Sequence, residues 1–332
     1  MPYSLFTDVS MLNEFLRAVP QEYGTFGYLK ELKDGEDKQI VIEKPKGFQS
    51  LNYIGSEYLL EKQLADMEKA GVDQAIMKLP GCQEWLTLEL CKRFNNEAYN
   101  HTQRSGGKLK ALAVVPPYDD EECLAELERA IYELGFAGVQ VSAHYGNLYL
   151  DNEIFKPFFR KVNEMNIPVY VHHTPVPVQF DSIYEFNNLR RTYGRCIDQS
   201  IAVGREIFSG MFEEFPNLKL IHSMLGGGFF TNRNMLFPKS SGNGRFEVGS
   251  DKYEDYLRNN IYFEMSHAQP WGKTQLECAV EVLGADHIIY GSSYPVKEQW
   301  LMGGPDFVMN LNISSEDKNK ILYENAKEIY RV

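Results

Sequence analysis

The sequence predicts an α/β fold, a closed (β/α)8 barrel of the TIM type, because short apolar runs alternate along it with longer amphipathic runs. The apolar runs predict eight strands, at Ser4–Asp8, Asp73–Met77, Leu109–Val115, Gly138–Ser142, Val169–His172, Leu218–Ser223, Ile261–Glu264 and Ile288–Gly291. The amphipathic runs predict eight helices, at Glu57–Ala70, Trp85–Thr102, Glu121–Leu134, Asn152–Met165, Asp198–Phe215, Tyr253–Arg258, Gln275–Leu283 and Asp317–Ile329. Eight alternating units are typical of a barrel, and counting alone leaves an open, doubly wound sheet as the alternative.

The length of 332 residues fits a single domain over 1–332, since α/β barrels routinely exceed the usual domain size. Two stretches, 20–55 and 173–197, interrupt the βα pattern and are predicted to be loop insertions. Each follows a predicted strand, so both are expected at the barrel mouth, where the loops after the strands build binding sites. Loops of this length are usually functional or disordered.

The net charge of −12 argues against nucleic acid or an anionic membrane surface as a partner. No uninterrupted apolar stretch reaches about 18 residues, so no membrane span is expected. Residues 1–15 lack the basic start and long apolar run of a signal peptide. The five cysteines are widely spaced and form no C-x-x-C pair, which predicts neither a disulfide framework nor a cysteine zinc site. We therefore expect a reduced, cytoplasmic protein.

Several segments resemble one family in their order and spacing. They are Asn166–His172, Phe208–Leu220, Gly226–Gly228, Gly284–Pro295 and Glu324–Ala326. They are similar to strand five, the passage into strand six, the glycine-rich turn after it, the ending of strand eight and the last helix of amidohydrolase-related proteins. These are the relatives of aminocarboxymuconate-semialdehyde decarboxylase and the resorcylate decarboxylases, in the amidohydrolase superfamily. The resemblance spans roughly residues 56–330.

The resemblance implies a divalent metal at the barrel mouth, which activates a water or holds the substrate as a Lewis acid. In the family, the ligands are a His-x-His pair on strand one, a histidine on strand five and an aspartate at the end of strand eight. A further histidine on strand six faces the substrate. Strand one departs from this pattern, because Ser10 and Leu12 replace the histidine pair. In the other register Asp8 and Ser10 replace it, and Asp8 could then be a carboxylate ligand.

Two later positions differ as well. Met224 stands where the strand-six histidine belongs and Ser293 stands where the strand-eight aspartate belongs, so of the family residues only His172 remains. A divalent ion needs several nitrogen or oxygen donors at about 2 Å. The sequence therefore predicts that the family metal site is lost and that no cofactor is bound.

Four residues are candidates for catalysis and nine more for substrate binding. His172 has the family position, His222 is predicted to share a strand face with Met224, and Asp8 and Ser293 could position the substrate. The binding candidates lie near strand ends or in the second insertion: Ser10, Lys78, His144, Arg190, Arg191, Met224, Glu264, His267 and Tyr294. A lysine or an arginine pair there can hold a carboxylate. Each candidate has a structural alternative, such as a hydrogen-bonded core histidine, a solvated charge or a dimer contact.

Three functional hypotheses remain. The favoured one is a metal-independent enzyme that hydrolyses or decarboxylates a small cyclic or aromatic carboxylate or carbonyl compound, with His172 and His222 as acid and base. The second is a non-catalytic binding or partner subunit of the same fold, paired with an active paralogue. The third is a metal enzyme whose site is rebuilt from Asp8, His172 and His222. A homodimer is expected.

Overall fold

The computed structural model describes residues 1–21, 24–32, 35, 37–174, 177–178, 181–183, 185–238 and 250–332. These residues form two compact units. The first contains Met1–Ser142 and Thr174–Arg195, and the second contains Ala143–His173 and Cys196–Val332.

The first unit begins with two helices and a three-stranded antiparallel sheet. The helices are α1 (Ser4–Thr7) and α2 (Val9–Ala18), and the strands are β1 (Phe26–Glu31), β2 (Lys38–Glu43) and β3 (Gln49–Ile54). β2 is central and pairs antiparallel with both of its neighbours. Leu5 and Phe15 of the helices and Ile40 and Ile42 of the sheet share one buried hydrophobic cluster. Burial of this apolar surface stabilises the packing of the helices and the sheet.

The predicted first strand, Ser4–Asp8, is wrong, because this segment is helical and Asp8 is the N-cap of α2. The Asp8 carboxylate accepts hydrogen bonds from the backbone N–H of Ser10 at 2.8 Å and of Met11 at 3.1 Å. Beyond the cap, Met11 and Phe15 are buried four residues apart, which is helical spacing. The cap and the amphipathic period therefore outweigh the short apolar run that predicted a strand.

The prediction that residues 20–55 form a loop is also wrong, since they contain the three strands of the antiparallel sheet. The second insertion, 173–197, includes a 3-10 turn at Asp181–Ile183 and a π-helical turn at Leu189–Tyr193. Its residues 175–176, 179–180 and 184 lie outside the described residues.

The rest of the first unit alternates strands and helices. Its elements are a 3-10 turn at Gly55–Tyr58, then α3 (Leu60–Lys69), β4 (Ala75–Met77), α4 (Leu88–Arg104), β5 (Leu109–Ala111), β6 (Ala113–Val114), α5 (Glu121–Tyr132) and β7 (Val139–Ser142). β4 pairs parallel with β5, and β6 pairs parallel with β7. The buried Gln140 side chain accepts from the N–H of Leu79 at 2.8 Å and donates to its carbonyl at 2.7 Å. These two bonds fix the chain just after β4.

The second unit continues the alternation of strands and helices. Its strands are β8 (His144–Tyr145), β9 (Leu148–Tyr149), β10 (Pro168–His172), β11 (Lys219–His222), β12 (Ile261–Glu264) and β13 (Ile288–Ile289). Its helices are α6 (Lys156–Met165), α7 (Gly194–Phe208, whose first two residues belong to the first unit), α8 (Met211–Glu214), α9 (Met224–Gly228), α10 (Arg233–Leu236), α11 (Ser250–Asn259), α12 (Ala268–Trp271), α13 (Lys273–Leu283), α14 (Glu298–Met302), α15 (Gly304–Met309), α16 (Ser315–Asn319) and α17 (Asn325–Tyr330). Of the described helices, none is long and apolar enough to cross a bilayer.

Four parallel strands form the sheet of the second unit, in the order β10–β11–β12–β13. The register pairs Val171 with His222 and His222 with Phe263, so the strands end at the same edge. β10 is buried along its whole length, as expected of a parallel strand. At the other end of the sheet, the Asn325 side chain donates to the carbonyls of Ala285 at 2.7 Å and Ile288 at 2.8 Å, which ties α17 to the start of β13.

The predicted alternation is confirmed for seven of the eight strands, and each predicted helix corresponds to a helical segment.

The glycine-rich turn after β11 has a left-handed backbone, which the sequence did not predict. In α9, φ is positive at every residue from Met224 (54°) to Gly228 (81°), so this turn is left-handed. A β-carbon on Gly227 would lie 1.7 Å from the carbonyl oxygen of Cys196, so only glycine fits there.

Candidate active site

Side chains of the second unit, most of them polar or aromatic, lie at the carboxyl ends of β10, β11, β12 and β13 or in the segments that follow these strands. We call them the strand-end cluster: Tyr170, His172, Ser223, Met224, Glu264, Ser266, His267, Ser293, Tyr294 and Trp300. They meet because parallel strands present their carboxyl ends at one edge. That edge is where α/β proteins of this kind bind ligands.

A buried carboxylate, Glu264, lies at the end of β12. It accepts hydrogen bonds from the Tyr170 hydroxyl at 2.7 Å, the Ser266 N–H at 2.8 Å and the Ser266 hydroxyl at 3.0 Å. Burial, and after it the charge of Glu264, raises the pKa of Tyr170 well above its usual range, so Tyr170 is a neutral donor. The Ser266 hydroxyl in turn accepts from the backbone N–H of Met224 at 3.0 Å. Glu264 therefore ties β10 to the turns that follow β11 and β12.

His172 ends β10 and is only 7% exposed. Its Nδ1 lies 2.7 Å from the carbonyl oxygen of His173, and the two imidazole rings stack with centroids 4.2 Å apart. A carbonyl only accepts, so Nδ1 carries the proton and Nε2 is the basic nitrogen of the neutral ring. The backbone N–H of His173 donates to the Ser223 hydroxyl at 3.0 Å, which fixes the chain at this point.

His267 follows β12 and contacts two residues from the segment after β13. Its Nδ1 lies 3.2 Å from the Ser293 hydroxyl, and its ring stacks on Trp300 with centroids 4.1 Å apart and planes 11° apart. His267, Ser293 and Trp300 are each half-buried. Tyr294, the next residue along, donates its backbone N–H to the Ser292 hydroxyl at 3.3 Å. This part of the cluster is the part that a ligand from solvent can approach.

Backbone strain is concentrated at the same edge. Positive φ occurs at Met224 (54°), Leu225 (51°), Ser266 (60°) and Ser293 (51°), in the segments that follow β11, β12 and β13. The other non-glycine residues with positive φ in the described chain, Asn166 and Arg331, are helix C-caps. Left-handed backbone at residues with a side chain is costly, and such strain typically marks functional sites.

The structure places His222 differently from the sequence-based prediction. Its side chain is completely buried against α7, with Nδ1 2.8 Å from Oε1 of Gln199 and Nε2 2.7 Å from Oε2 of Glu206. Gln199 donates its amide to the Val171 carbonyl at 3.2 Å, so its Oε1 faces the ring and Nδ1 must donate. Burial raises the pKa of Glu206, whose Oε2 is bonded to Nε2 of the ring. These contacts support a structural role for His222.

His144 also has buried protein partners. Its Nδ1 lies 2.9 Å from the Gly146 carbonyl and its Nε2 lies 3.5 Å from Oδ1 of Asp198. Asp198 accepts a second hydrogen bond, from the Tyr149 hydroxyl at 3.0 Å. His144 is 3% exposed, and its contacts join the β8–β9 hairpin to α7.

The remaining predicted site residues belong to the first unit. Asp8 caps α2 and pairs with Arg93 at 3.3 Å, and Ser10 lies in the first turn of that helix. Lys78 directly follows β4, and the half-buried Arg191 lies in the π-helical turn.

Arg190 is 3% exposed. It donates to the Gln49 carbonyl at 3.3 Å and to the Asn187 side chain at 2.9 Å, and its guanidinium lies over the Phe48 ring. Its observed contacts therefore connect the two predicted insertions within the first unit.

Comparisons with known proteins show the family. Residues 63–332 match the family model described as Amidohydrolase, and the chain belongs to this family. Gamma-resorcylate decarboxylase from a Polaromonas species is 25% identical over 293 residues, which covers 82% of this chain and 87% of that protein. 2-amino-3-carboxymuconate-6-semialdehyde decarboxylase of Dictyostelium discoideum is 24% identical over 250 residues, covering 73% and 66%.

A solved structure is similar over most of the chain. It is 5-carboxyvanillate decarboxylase of Novosphingobium aromaticivorans, complexed with manganese and 4-hydroxy-3-methoxy-5-nitrobenzoic acid. It aligns with a TM-score of 0.73 and 26% identity over 84% of this chain and 82% of that one. The fold is thus the α/β barrel that the sequence predicts.

The manganese of this relative raises the question of whether the present residues fit such an ion. Within the described ranges, no three His, Cys, Asp or Glu side chains lie close enough together to hold a metal. Leu12 is in the hydrophobic core, Asp8 caps a helix, and the Ser293 hydroxyl contacts His267. Manganese prefers carboxylate, carbonyl and water oxygen ligands. The donor set therefore does not fit the ion.

Sequence reasoning missed several members of the cluster. Tyr170 and Ser266 had been passed over, although Tyr170 alternates with His172 along β10 and therefore shares its face. Trp300 lies in the first turn of α14, outside the segments that resemble the family, and belongs to no motif. Glu206 and Gln199, the partners of His222, lie two helical turns apart and therefore on one face of α7. This spacing was the only sign in the sequence that both could contact one buried side chain.

Proposed function

We propose that this protein decarboxylates small aromatic carboxylates at the strand-end cluster, without a manganese ion like the one in the solved 5-carboxyvanillate decarboxylase. The convergence of His172, Glu264 and His267 on one strained strand-end edge carries the proposal. Family membership supports it, because the relatives named above are decarboxylases and one holds an aromatic acid. The lack of fit between the donor set and manganese supports the metal-free part.

The reaction needs a proton donor and an anchor for the substrate. A proton is added to the ring carbon that bears the carboxylate, the bond to the carboxylate breaks, and its electron pair restores the aromatic ring. The products are CO2 and the arene with hydrogen in place of the carboxylate. The protein must supply the proton and hold the ring in place while its aromaticity is interrupted.

We assign His172 as the general acid that protonates the ring carbon of the substrate. Its Nδ1 proton is held by the His173 carbonyl, so Nε2 first takes a proton from water, and the resulting imidazolium then gives that proton to the ring carbon of the substrate. Glu264 is a positioning residue, because it holds Tyr170 and the Ser266 turn in place. Burial of His172 limits competition from solvent.

The test is product formation by purified protein with 2,6-dihydroxybenzoate and 5-carboxyvanillate, the acids named for solved relatives. We expect release of CO2 and the matching phenol. His172→Asn should reduce kcat by about 100-fold or more, the usual contribution of a general acid. His287→Gln is the matched control, since His287 stands before β13 and bonds the Ile261 carbonyl. Its activity should equal that of the parent.

Two outcomes would overturn parts of the proposal. If EDTA abolishes turnover and manganese restores it, the metal-free part is wrong. If neither acid is turned over under any condition, decarboxylation of these acids is wrong. If such an inactive protein still binds aromatic acids, the non-catalytic binding subunit becomes the better hypothesis.

A further inference from the structure

The imidazole of His267 is held rigidly from two sides. Trp300 covers one face of the ring at 4.1 Å with nearly parallel planes, and the Ser293 hydroxyl lies 3.2 Å from Nδ1. Face stacking stops the ring from tilting, and the contact at Nδ1 stops it from spinning about its bond to the chain. A group whose orientation is fixed in advance binds a ligand with less loss of entropy.

The backbone on both sides of this contact is fixed as well. Ser266 has φ of 60° and is held by Glu264 through both its N–H and its hydroxyl. Ser293 has φ of 51°. On the far side, the Gln269 amide donates to the carbonyls of Gln299 at 3.2 Å and Trp300 at 3.3 Å. The turn that carries His267 is thereby joined to the helix that carries Trp300.

The local charge suits an anionic ligand. The Lys297 ammonium lies 5.3 Å from the centroid of the Trp300 ring, and Lys297 is exposed while His267 is half-buried. The nearby carboxylate, Glu264, is occupied by Tyr170 and Ser266. An aromatic acid would meet an imidazole, an indole and a positive charge here.

We propose that His267 binds an anionic oxygen of the aromatic carboxylate, with Nε2 as the donor. Ser293 and Trp300 are positioning residues that hold the imidazole. The proposal rests on the proposed function for the class of substrate. A charge-assisted hydrogen bond of this kind contributes about 1.5–3 kcal/mol, which corresponds to roughly 10-fold to 100-fold in affinity.

Binding of 4-hydroxy-3-methoxy-5-nitrobenzoate tests the proposal without requiring turnover. The nitroarene quenches tryptophan fluorescence, and the visible absorption of its nitrophenolate reports how the protein holds its anionic oxygen. We expect His267→Asn, whose shorter amide reaches only the place of Nδ1, to raise Kd at least about tenfold. Ser293→Ala should raise Kd severalfold, and Ser293→Thr should restore it. His287→Gln should leave Kd unchanged, because its ring stacks on Tyr262 before β13, at the opposite end of that strand.

The outcomes separate this inference from the proposed function. Unchanged Kd in His267→Asn overturns the inference, and so does binding that requires added manganese. Trp300→Phe should abolish most of the fluorescence quenching, whereas Trp85→Phe should leave it intact. The reverse pattern of quenching would also overturn the inference. If the probe binds through His267 but no acid is decarboxylated, the proposed function is wrong and the anionic-oxygen site remains. If the probe does not bind at all, the site is wrong even where turnover is found.

Discussion

The Glu264 carboxylate occupies the space that a β-carbon on Gly291 would need. Such a carbon would lie 1.4 Å from Oε1 of Glu264, far inside any possible contact. Glycine just after the last strand thus makes room for the buried carboxylate, and the carboxylate holds the turn that carries His267.

Gly291→Ala should therefore destabilise the protein by about 1–3 kcal/mol or more, through overpacking against Glu264. Glu264→Ala should also destabilise it, because it leaves the Tyr170 and Ser266 donors without their acceptor. The double variant should be more stable than the sum of the two losses predicts, since the clash is then absent. Urea unfolding of the four proteins measures this coupling. Additivity within about 0.5 kcal/mol would contradict the contact.

Gly227 gives a second test of close packing. Gly227→Ala would place its β-carbon against the Cys196 backbone, whereas Gly210 has positive φ (80°) and nothing within 4 Å. We expect Gly210→Ala to cost about 1–2 kcal/mol from backbone strain alone. Gly227→Ala should cost clearly more, because backbone cannot move aside as a side chain can. Equal midpoints in urea for the two variants would refute the close approach of Gly227 to the Cys196 backbone.

His222 should affect stability rather than chemistry. His222→Ala leaves Glu206 fully buried without its partner, which typically costs about 3–5 kcal/mol. Replacing both residues by leucine should cost much less, because no charge is then stranded. Where the variants remain folded, kcat should be unchanged. A variant with full stability and no activity would restore His222 to the catalytic set that the sequence predicts.

His101 should make stability depend on pH. Burial lowers the pKa of His101 to about 4, and its Nε2 lies 2.7 Å from Oε1 of Gln63. In the unfolded chain its pKa is about 6.5, so between these values the unfolded state binds more protons. The free energy of unfolding should therefore fall as pH is lowered from about 6.5 to about 4.

His101→Gln should remove part of this slope and leave stability above pH about 7 nearly unchanged. Because His101 is partly exposed, we expect its contribution to the slope of unfolding free energy against pH to correspond to a fraction of one proton. Urea unfolding at several pH values measures it. An unchanged slope would mean that His101 is not held neutral in the folded protein.

Hydrophobic alternation made most of the fold predictable, because buried parallel strands such as β10 and amphipathic helices leave strong patterns. The first strand failed because Asp8 is followed by residues of helical period, and a capping signal competes with a short apolar run. The antiparallel sheet in residues 20–55 was missed because its length and composition suggested an insertion.

The site was less predictable for a physical reason. The sequence pointed to His172, Glu264, His267 and Ser293 through their places at strand ends, and these lie in the cluster. It could not show that His222 faces α7, because a buried strand has two buried faces. Nor could it show left-handed backbone at Ser266 and Ser293, since serine ordinarily avoids that region.

The position of a bound aromatic acid tests the account most directly. A crystal structure of the protein soaked with 4-hydroxy-3-methoxy-5-nitrobenzoate would locate it. We expect its ring beside Trp300, with an anionic oxygen within hydrogen-bonding distance of His267 Nε2 and the substituted ring carbon facing His172. Density for the acid in the groove of about 670 Å³ between α4 and α5, lined by Lys92, Arg93 and Arg129, would contradict the account. So would an acid held at the strand-end cluster through a metal ion.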